Sequence, residues 1–273
     1  MKMRFRAALA MFVMALAARA SEPLRPVSST WTLEAGGAQI ADTYLTPLKY
    51  SGMHLGLGYE RAQAMRFNPR HWVNSLRFSF EFDRAKNPSG NSTMYSAGIS
   101  AGWSMLHTWR LPYGIGLAFG GAADADLGAL LLERNSNNPA QARASLTLSP
   151  QVSAYWRKGI WGVGARLRTP LLGVFFSPDY GELYYEISLG NHSDLVHFAW
   201  PGSYRRCCGE AFVDIRPGAT AIRLGYRADL LSFSANGLTG RMLTNSVIIG
   251  VNCDFLSVDP RKKYDAEIIT ANY

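Results

Sequence analysis

Alternation with a period of two dominates this chain, and the run Trp72–Asp83 shows it most regularly. Trp72, Leu76, Phe78, Phe80 and Phe82 fall on one face; Ser75, Arg77, Ser79, Glu81 and Asp83 fall on the other. A strand sends successive side chains to opposite sides. One face of this segment therefore suits lipid or a core, while the other carries charges at short intervals. A soluble sandwich would turn that polar face to water, and a membrane barrel would turn it to its lumen.

The N-terminus favours the barrel. Lys2, Arg4 and Arg6 form a basic start, residues 7–18 are apolar, and Ala18-Arg19-Ala20 fits the small-x-small pattern that precedes signal cleavage. This apolar stretch is shorter than the roughly 17–25 residues that a bilayer-spanning helix needs. No later segment reaches that length, so any span must be made by strands. The expected organisation is a signal peptide over 1–20, a short N-terminal segment over 21–29, a β-barrel over 30–256 and a polar tail over 257–273. The expected location is the outer membrane, with its lipid and the barrel-assembly machinery as the partners that insertion requires.

Composition narrows the function classes. The formal charge is +8, but four of the 28 basic residues lie in the leader, leaving 24 against 20 acidic residues. No Gly-rich phosphate loop, basic-aromatic motif or long run of like charge argues for nucleic acid. The three cysteines lack metal-ligand spacing, so neither a metal nor a cofactor is expected.

Twelve strands are predicted, near 30–39, 48–64, 72–83, 94–106, 112–124, 143–157, 160–172, 182–189, 195–202, 210–216, 219–230 and 244–256. The fold class is an all-β, transmembrane antiparallel β-barrel; ten strands is the alternative if 182–202 forms an outer-loop hairpin. Tight turns are expected at 110–112, 157–159 and 216–218, and longer polar loops at 84–93, 125–142 and 231–241. Outer-membrane barrels keep their short turns in the periplasm. Trp72, Trp103, Tyr113, Trp156 and Trp161 then form the girdle at the short-turn end, and Phe82, Tyr95 and Phe119 the one near the loops.

The inward faces carry the candidate site. Glu34, Glu60, Arg77, Glu81, Asp83, Arg166, Arg168, Glu186, Arg223, Arg227 and Asp229, with His54, form a predicted lumen charge set. Buried charges persist when paired, so this set can fill a narrow lumen with a hydrogen-bonded network; a selective pore or an active site are the competing readings. Because the segments at 48–64, 94–106 and 112–124 turn mostly Gly, Ser and Ala inward, long Arg side chains from the other wall are expected to reach across.

Asp42-Thr43-Tyr44-Leu45-Thr46-Pro47, with Tyr59-Glu60-Arg61, Tyr184-Tyr185-Glu186-Ile187, His197-Phe198-Ala199-Trp200 and Arg223-Leu224-Gly225-Tyr226, resembles a family of exported Bacteroidetes proteins known only as a domain of unknown function. The resemblance spans roughly 30–260 and implies an outer-membrane barrel setting; it carries over no substrate, reaction or catalytic residue. Read from the residues alone, Asp42, Thr43, Tyr44 and Leu45 mark a turn in which Asp and Thr bond nearby backbone, or else a docking motif.

Two further clusters carry reactive side chains. Asn191-His192-Ser193-Asp194 invites a hydrolase reading, but adjacent strand residues face opposite ways, and the stretch reads as a turn. Cys207 and Cys208 fall in an expected outer loop, far from Cys253. The preferred function is non-enzymatic: a narrow pore, or an envelope anchor or docking protein, with a charge-paired lumen. The alternative is a barrel-embedded lipid-modifying enzyme of lipase or deacylase class.

Overall fold

The structure is a computed structural model that describes residues 23–135, 138–179, 181–190, 192, 194–218, 220–256 and 267–271. The expected signal peptide, Asn191, Ser193 and most of the expected tail lie outside the described residues. Twelve strand segments are present: β1 (Val27–Asp42), β2 (Thr46–Ala64), β3 (Trp72–Lys86), β4 (Thr93–Leu111), β5 (Ile115–Leu132), β6 (Ala140–Lys158), β7 (Trp161–Arg168), β8 (Leu172–Phe176), β9 (Val196–Ala199), β10 (Tyr204–Ile215), β11 (Thr220–Ala235) and β12 (Leu238–Phe255). A short helix, α1 (Tyr184–Ser188), lies between β8 and β9.

All ladders between the described strands are antiparallel, and the β1–β12 and β5–β6 ladders close the sheet into a ten-stranded barrel, with β8 and β9 additional. β8 pairs with β6 just beyond the stretch of β6 that pairs with β7, so β7 and β8 share one wall position. Pro170 falls between them, where the register on β6 shifts by one residue, while Thr169 and Leu171 N–H still donate to the Pro150 and Leu148 carbonyls at 3.5 and 2.9 Å. β9 and β10 are likewise one position broken at Pro201-Gly202, where Tyr204 N–H donates to the Trp200 carbonyl at 2.8 Å. The ten-position wall is thus the alternative count, reached by a different route.

The strand expected over 182–189 is corrected to α1 and its flanks. β8 and β9 already pair with each other, so the connecting segment has no ladder to join. Gly181 and Gly190 flank the helix at φ +103 and +83, a left-handed region that glycine enters without strain. The long loops expected at 125–142 and 231–241 are also corrected. The strands run on, and only 133–139 and 236–237 connect them. At the second, Asn236 and Gly237 both have positive φ (50 and 71), the signature of a two-residue type I′ hairpin. Their inward residues explain the extension: Leu130, Leu132 and Leu238 join Ile40, Tyr50 and Met94 in a buried apolar core at the loop end of the barrel.

The outward face is an apolar belt. Leu33, Phe78, Ile99, Leu127, Leu146, Ile222 and Ile249 are each about half exposed or more, as no water-facing surface of this extent would be. Trp103, Tyr113, Trp156 and Trp161 border it toward the end where the termini lie; Phe119, expected near the loops, pairs with His107 and belongs to this same end. There the described C-terminal residues fold back: Leu24 N–H donates to the Glu267 carbonyl at 2.9 Å and Ile269 N–H to the Leu24 carbonyl at 2.8 Å.

Candidate functional site: the barrel lumen

Strict alternation aims one residue in two at the lumen, and the lumen is layered. At the loop end it is filled by the apolar core just described. Below that, ten of the expected charged residues face inward: Glu34, Glu60, Arg77, Glu81, Asp83, Arg166, Arg168, Arg223, Arg227 and Asp229. Glu186 does not join them; it lies exposed on α1.

Arg166 on β7 meets both carboxylate oxygens of Glu60 on β2 through Nη1, at 3.0 and 2.8 Å. These strands occupy opposite positions in the ring, so the pair spans the lumen. Arg227 bridges Glu34 and Glu210, the latter at 2.9 Å. Ser246 donates to the other Glu34 oxygen at 3.1 Å. Arg223 holds Asp214 bidentately at 2.7 and 2.9 Å, and its guanidinium carbon lies 3.6 Å from the centroid of the Phe212 ring. Arg206 forms a fork to Asp229 and reaches Asp126 at 2.9 Å. His54 Nδ1 and Asp83 lie 2.7 Å apart, both buried. Bidentate and bridging geometry of this kind satisfies buried charges that would otherwise be costly.

Sequence reasoning missed Asp124, Asp126, Arg143, Arg206, Glu210 and Asp214. Arg77 and Arg168 converge on Asp124, one at 3.4 Å. The β5 wall, expected to be bare, therefore supplies the acceptor they share. The signal was present: Asp124, Asp126, Gly128 and Leu130 alternate with Ala125, Leu127 and Ala129, continuing the β5 pattern into what resembled a polar loop. Arg206 was hidden in the same way. It and the two adjacent cysteines lie in β10, which corrects the expected outer-loop placement; Cys208 lines the lumen and Cys207 is exposed on the outside.

Packing leaves little free volume in the charged layer: a cavity of about 70 Å³ bordered by Glu81, Arg77 and Arg206, and one of about 80 Å³ bordered by Asp126, Arg143 and Asp229. A larger one of about 430 Å³ lies at the termini end.

A family model described as a protein of unknown function (DUF3316) matches residues 5–262. The chain belongs to that family. No curated protein matches its sequence. Among solved structures, it is similar to the outer membrane protease OmpT from Escherichia coli, with 7% identity, a TM-score of 0.55, and 84% of this chain and 97% of that one covered. It is also similar to the β domain of the Bordetella autotransporter BrkA (10% identity, TM-score 0.42, 84% and 100% covered) and to the translocator domain of NalP from Neisseria meningitidis (9%, 0.38, 93% and 96%). At such identities the likeness shows the fold alone: that of an outer-membrane β-barrel.

In this DUF3316 chain, the segment Asp42 to Leu45 at the β1–β2 turn has a geometric account. Asp42 accepts from Tyr44 N–H at 3.0 Å, the local turn bond. The other residues reach further. Thr43 Oγ1 both donates to the Thr239 carbonyl (3.1 Å) and accepts from Thr239 N–H (2.8 Å). The Tyr44 hydroxyl donates to the Glu182 carbonyl at 2.7 Å. Leu45 is buried in the loop-end core, and its carbonyl accepts from Asn135 at 3.1 Å. Thr43, Tyr44 and Leu45 thus tie the first turn to three other loop-end segments.

The lipid-modifying reading gains no support. None of His54, His71, His107 and His197 is hydrogen-bonded to a Ser hydroxyl; His197, for instance, contacts the Ser177 carbonyl and Asn236. Ser193 lies outside the described residues.

Proposed function

We propose that this protein resides in the outer membrane as a closed barrel, serving as an envelope anchor or docking protein rather than as an open porin. The observation that carries this reading is the Arg166–Glu60 pair across the full lumen, beneath a loop-end core of buried apolar side chains. A charged layer whose cavities are only about 70 and 80 Å³ has room for a few waters. The apolar outer belt supports outer-membrane lipid as its solvent, and the N-terminal leader pattern supports export followed by insertion through the barrel-assembly machinery. The lumen charge set, now including Asp124, Asp126, Glu210 and Asp214, acts in this reading as a structural plug.

Two measurements test it together. Sucrose-gradient fractionation should place the protein with outer-membrane markers, and proteoliposomes should swell in small sugars no faster than protein-free vesicles. Recovery in the soluble fraction, or swelling at porin rates, would overturn the proposal.

A further inference from the structure

At the loop end the outer face of one wall turns basic. Arg205 on β10, Ser232 on β11, Arg241 on β12, Ala41 on β1 and Lys49 on β2 form one unbroken row of paired residues. Lys86 on β3 pairs with Ser51, two residues from Lys49, and Arg84 follows on the same side of β3. All five cations are exposed. Alternation puts them on the lipid side, because Phe82, Leu243 and Met53 continue the same strand faces into the apolar belt. At about 4.8 Å between strands, Arg205 and Arg241 stand roughly 10 Å apart, as do Arg241 and Lys49.

Long cationic side chains at a belt edge commonly reach for water; two observations set this wall apart. The first is missing compensation. Among the described residues, Lys49, Arg84, Lys86 and Arg241 form no ion pair. Arg205 uses only its Nε–H, donated to the Pro201 carbonyl at 2.6 Å. Like charges gathered on one sheet face repel. Glu133, the acid that follows along the wall, lies beyond Thr93, the cross-strand neighbour of Lys86. The second is confinement. At this end β4, β5, β6, β8 and β9 turn no Lys or Arg outward; Arg143 on β6 points inward and donates to Ser96 at 3.0 Å.

Below the cations the wall has room for a hydrocarbon chain. Ala35 and Gly37 on β1 face outward and are exposed. Val247 and Leu55 flank Ala35, and Met53 flanks Gly37. A shallow apolar channel one strand wide therefore descends from Ala41, with Gln39 at its top. The flanks of Ala41 are Arg241 and Lys49.

We propose that this face, centred on β1, binds one phosphorylated glycolipid of the outer leaflet, its phosphates between Arg241, Lys49, Lys86 and Arg84 and an acyl chain along Ala35 and Gly37. Charge complementarity and continuity with the lipid-facing belt select this occupant. Guanidinium groups donate well to phosphate, and clusters of Lys and Arg beside a bilayer recognise anionic head groups. The inference rests on the outer-membrane reading above: with the termini and short turns in the periplasm, the loop end meets the outer leaflet.

The test uses the full-length protein in phosphatidylcholine nanodiscs containing a minor fraction of diphosphoryl lipid A. Parallel samples contain the same lipid stripped of its phosphates, or phosphatidylglycerol. Native mass spectrometry counts the lipid that each barrel retains. The expected result is one diphosphoryl lipid A per barrel, retained at least tenfold better than either comparison lipid. The double variant Lys49→Gln/Arg241→Gln should lose that retention about tenfold while its heat-modifiable gel mobility stays native. Lys158→Gln, exposed at the termini end, should retain the lipid as the native protein does. If the double variant does not fold, the comparison of lipids on the native protein decides. Equal retention of the dephosphorylated lipid means that phosphate is not read, and equal retention of phosphatidylglycerol means that any anionic lipid suffices. Retention unchanged in the double variant, or lost equally in Lys158→Gln, places the lipid elsewhere. Each of these results overturns the proposal, whereas the outer-membrane reading is decided separately by fractionation.

Discussion

Arg166 and Glu60 lie on opposite sides of the ring, yet one guanidinium nitrogen sits 3.0 and 2.8 Å from the two carboxylate oxygens. Removing one member of a buried pair typically costs about 3–5 kcal/mol, because the other charge is left uncompensated. Arg166→Ala and Glu60→Ala should each lower barrel stability by about that much, read as the temperature at which the folded band disappears from unheated gels or as a urea midpoint. The double variant should lose less than the sum of the two. Strict additivity in that cycle would show that the pair is not coupled.

A second prediction concerns the aromatic floor beneath Arg223. A Cβ added at Gly164 would lie 2.4 Å from the Cζ of Phe212, so Gly164→Ala must displace the ring on which the Arg223 guanidinium rests. Overpacking of this kind costs about 1–3 kcal/mol. Phe212→Leu added to Gly164→Ala should recover part of the loss. A Gly164→Ala variant as stable as the native barrel would mean that the ring does not fill this space.

The loop-end ties predict a local effect. Tyr44→Phe removes only the hydroxyl that donates to the Glu182 carbonyl, a bond worth about 0.5–1.5 kcal/mol. Limited proteolysis within 177–195 should speed up several-fold while the barrel stays resistant. Unchanged cleavage kinetics would show that Tyr44 does not hold that segment.

The thiols provide a test of register. Thr220 on β11 pairs with Cys253, and Leu230 on the same strand pairs with Cys207. At about 3.3 Å per residue the two cysteines are separated by roughly 33 Å along the wall, far beyond the ~7 Å Cα limit of a disulfide. Non-reducing peptide mass mapping should return all three cysteines as free thiols, as they are in the structure. A crosslinked peptide joining Cys253 to Cys207 or Cys208 would contradict the strand assignment.

Much of the wall was legible because its signal is local. The faces of β1 to β4, including Trp31 outward and His54 inward, follow from alternation alone. The lumen was legible only in part. Glu60 and Arg166 could be placed inside, but their partnership depends on which strands oppose each other in a closed ring, and that in turn depends on the strand count. The twelve segments were easier to read than the ten wall positions, because breaks near Pro170 and Pro201 split two positions, and Leu183, Tyr185 and Ile187 alternated without a neighbouring strand to pair with. Asp124 and Asp126 were lost for another reason. Two acids in a short span resemble a solvated loop, although they continue the β5 alternation, and the guanidinium groups that converge on them show that they face inward.

The central claim is that the lumen is closed by side-chain pairing, and single-channel recording in a planar bilayer tests it most directly. The native protein should insert without producing stable conductance steps. Arg166→Ala or Glu60→Ala should produce brief openings, because the pair spanning the lumen is then absent. Steady steps of open-porin size from the native protein, unaltered by either substitution, would contradict the account: the lumen would then be a water-filled channel.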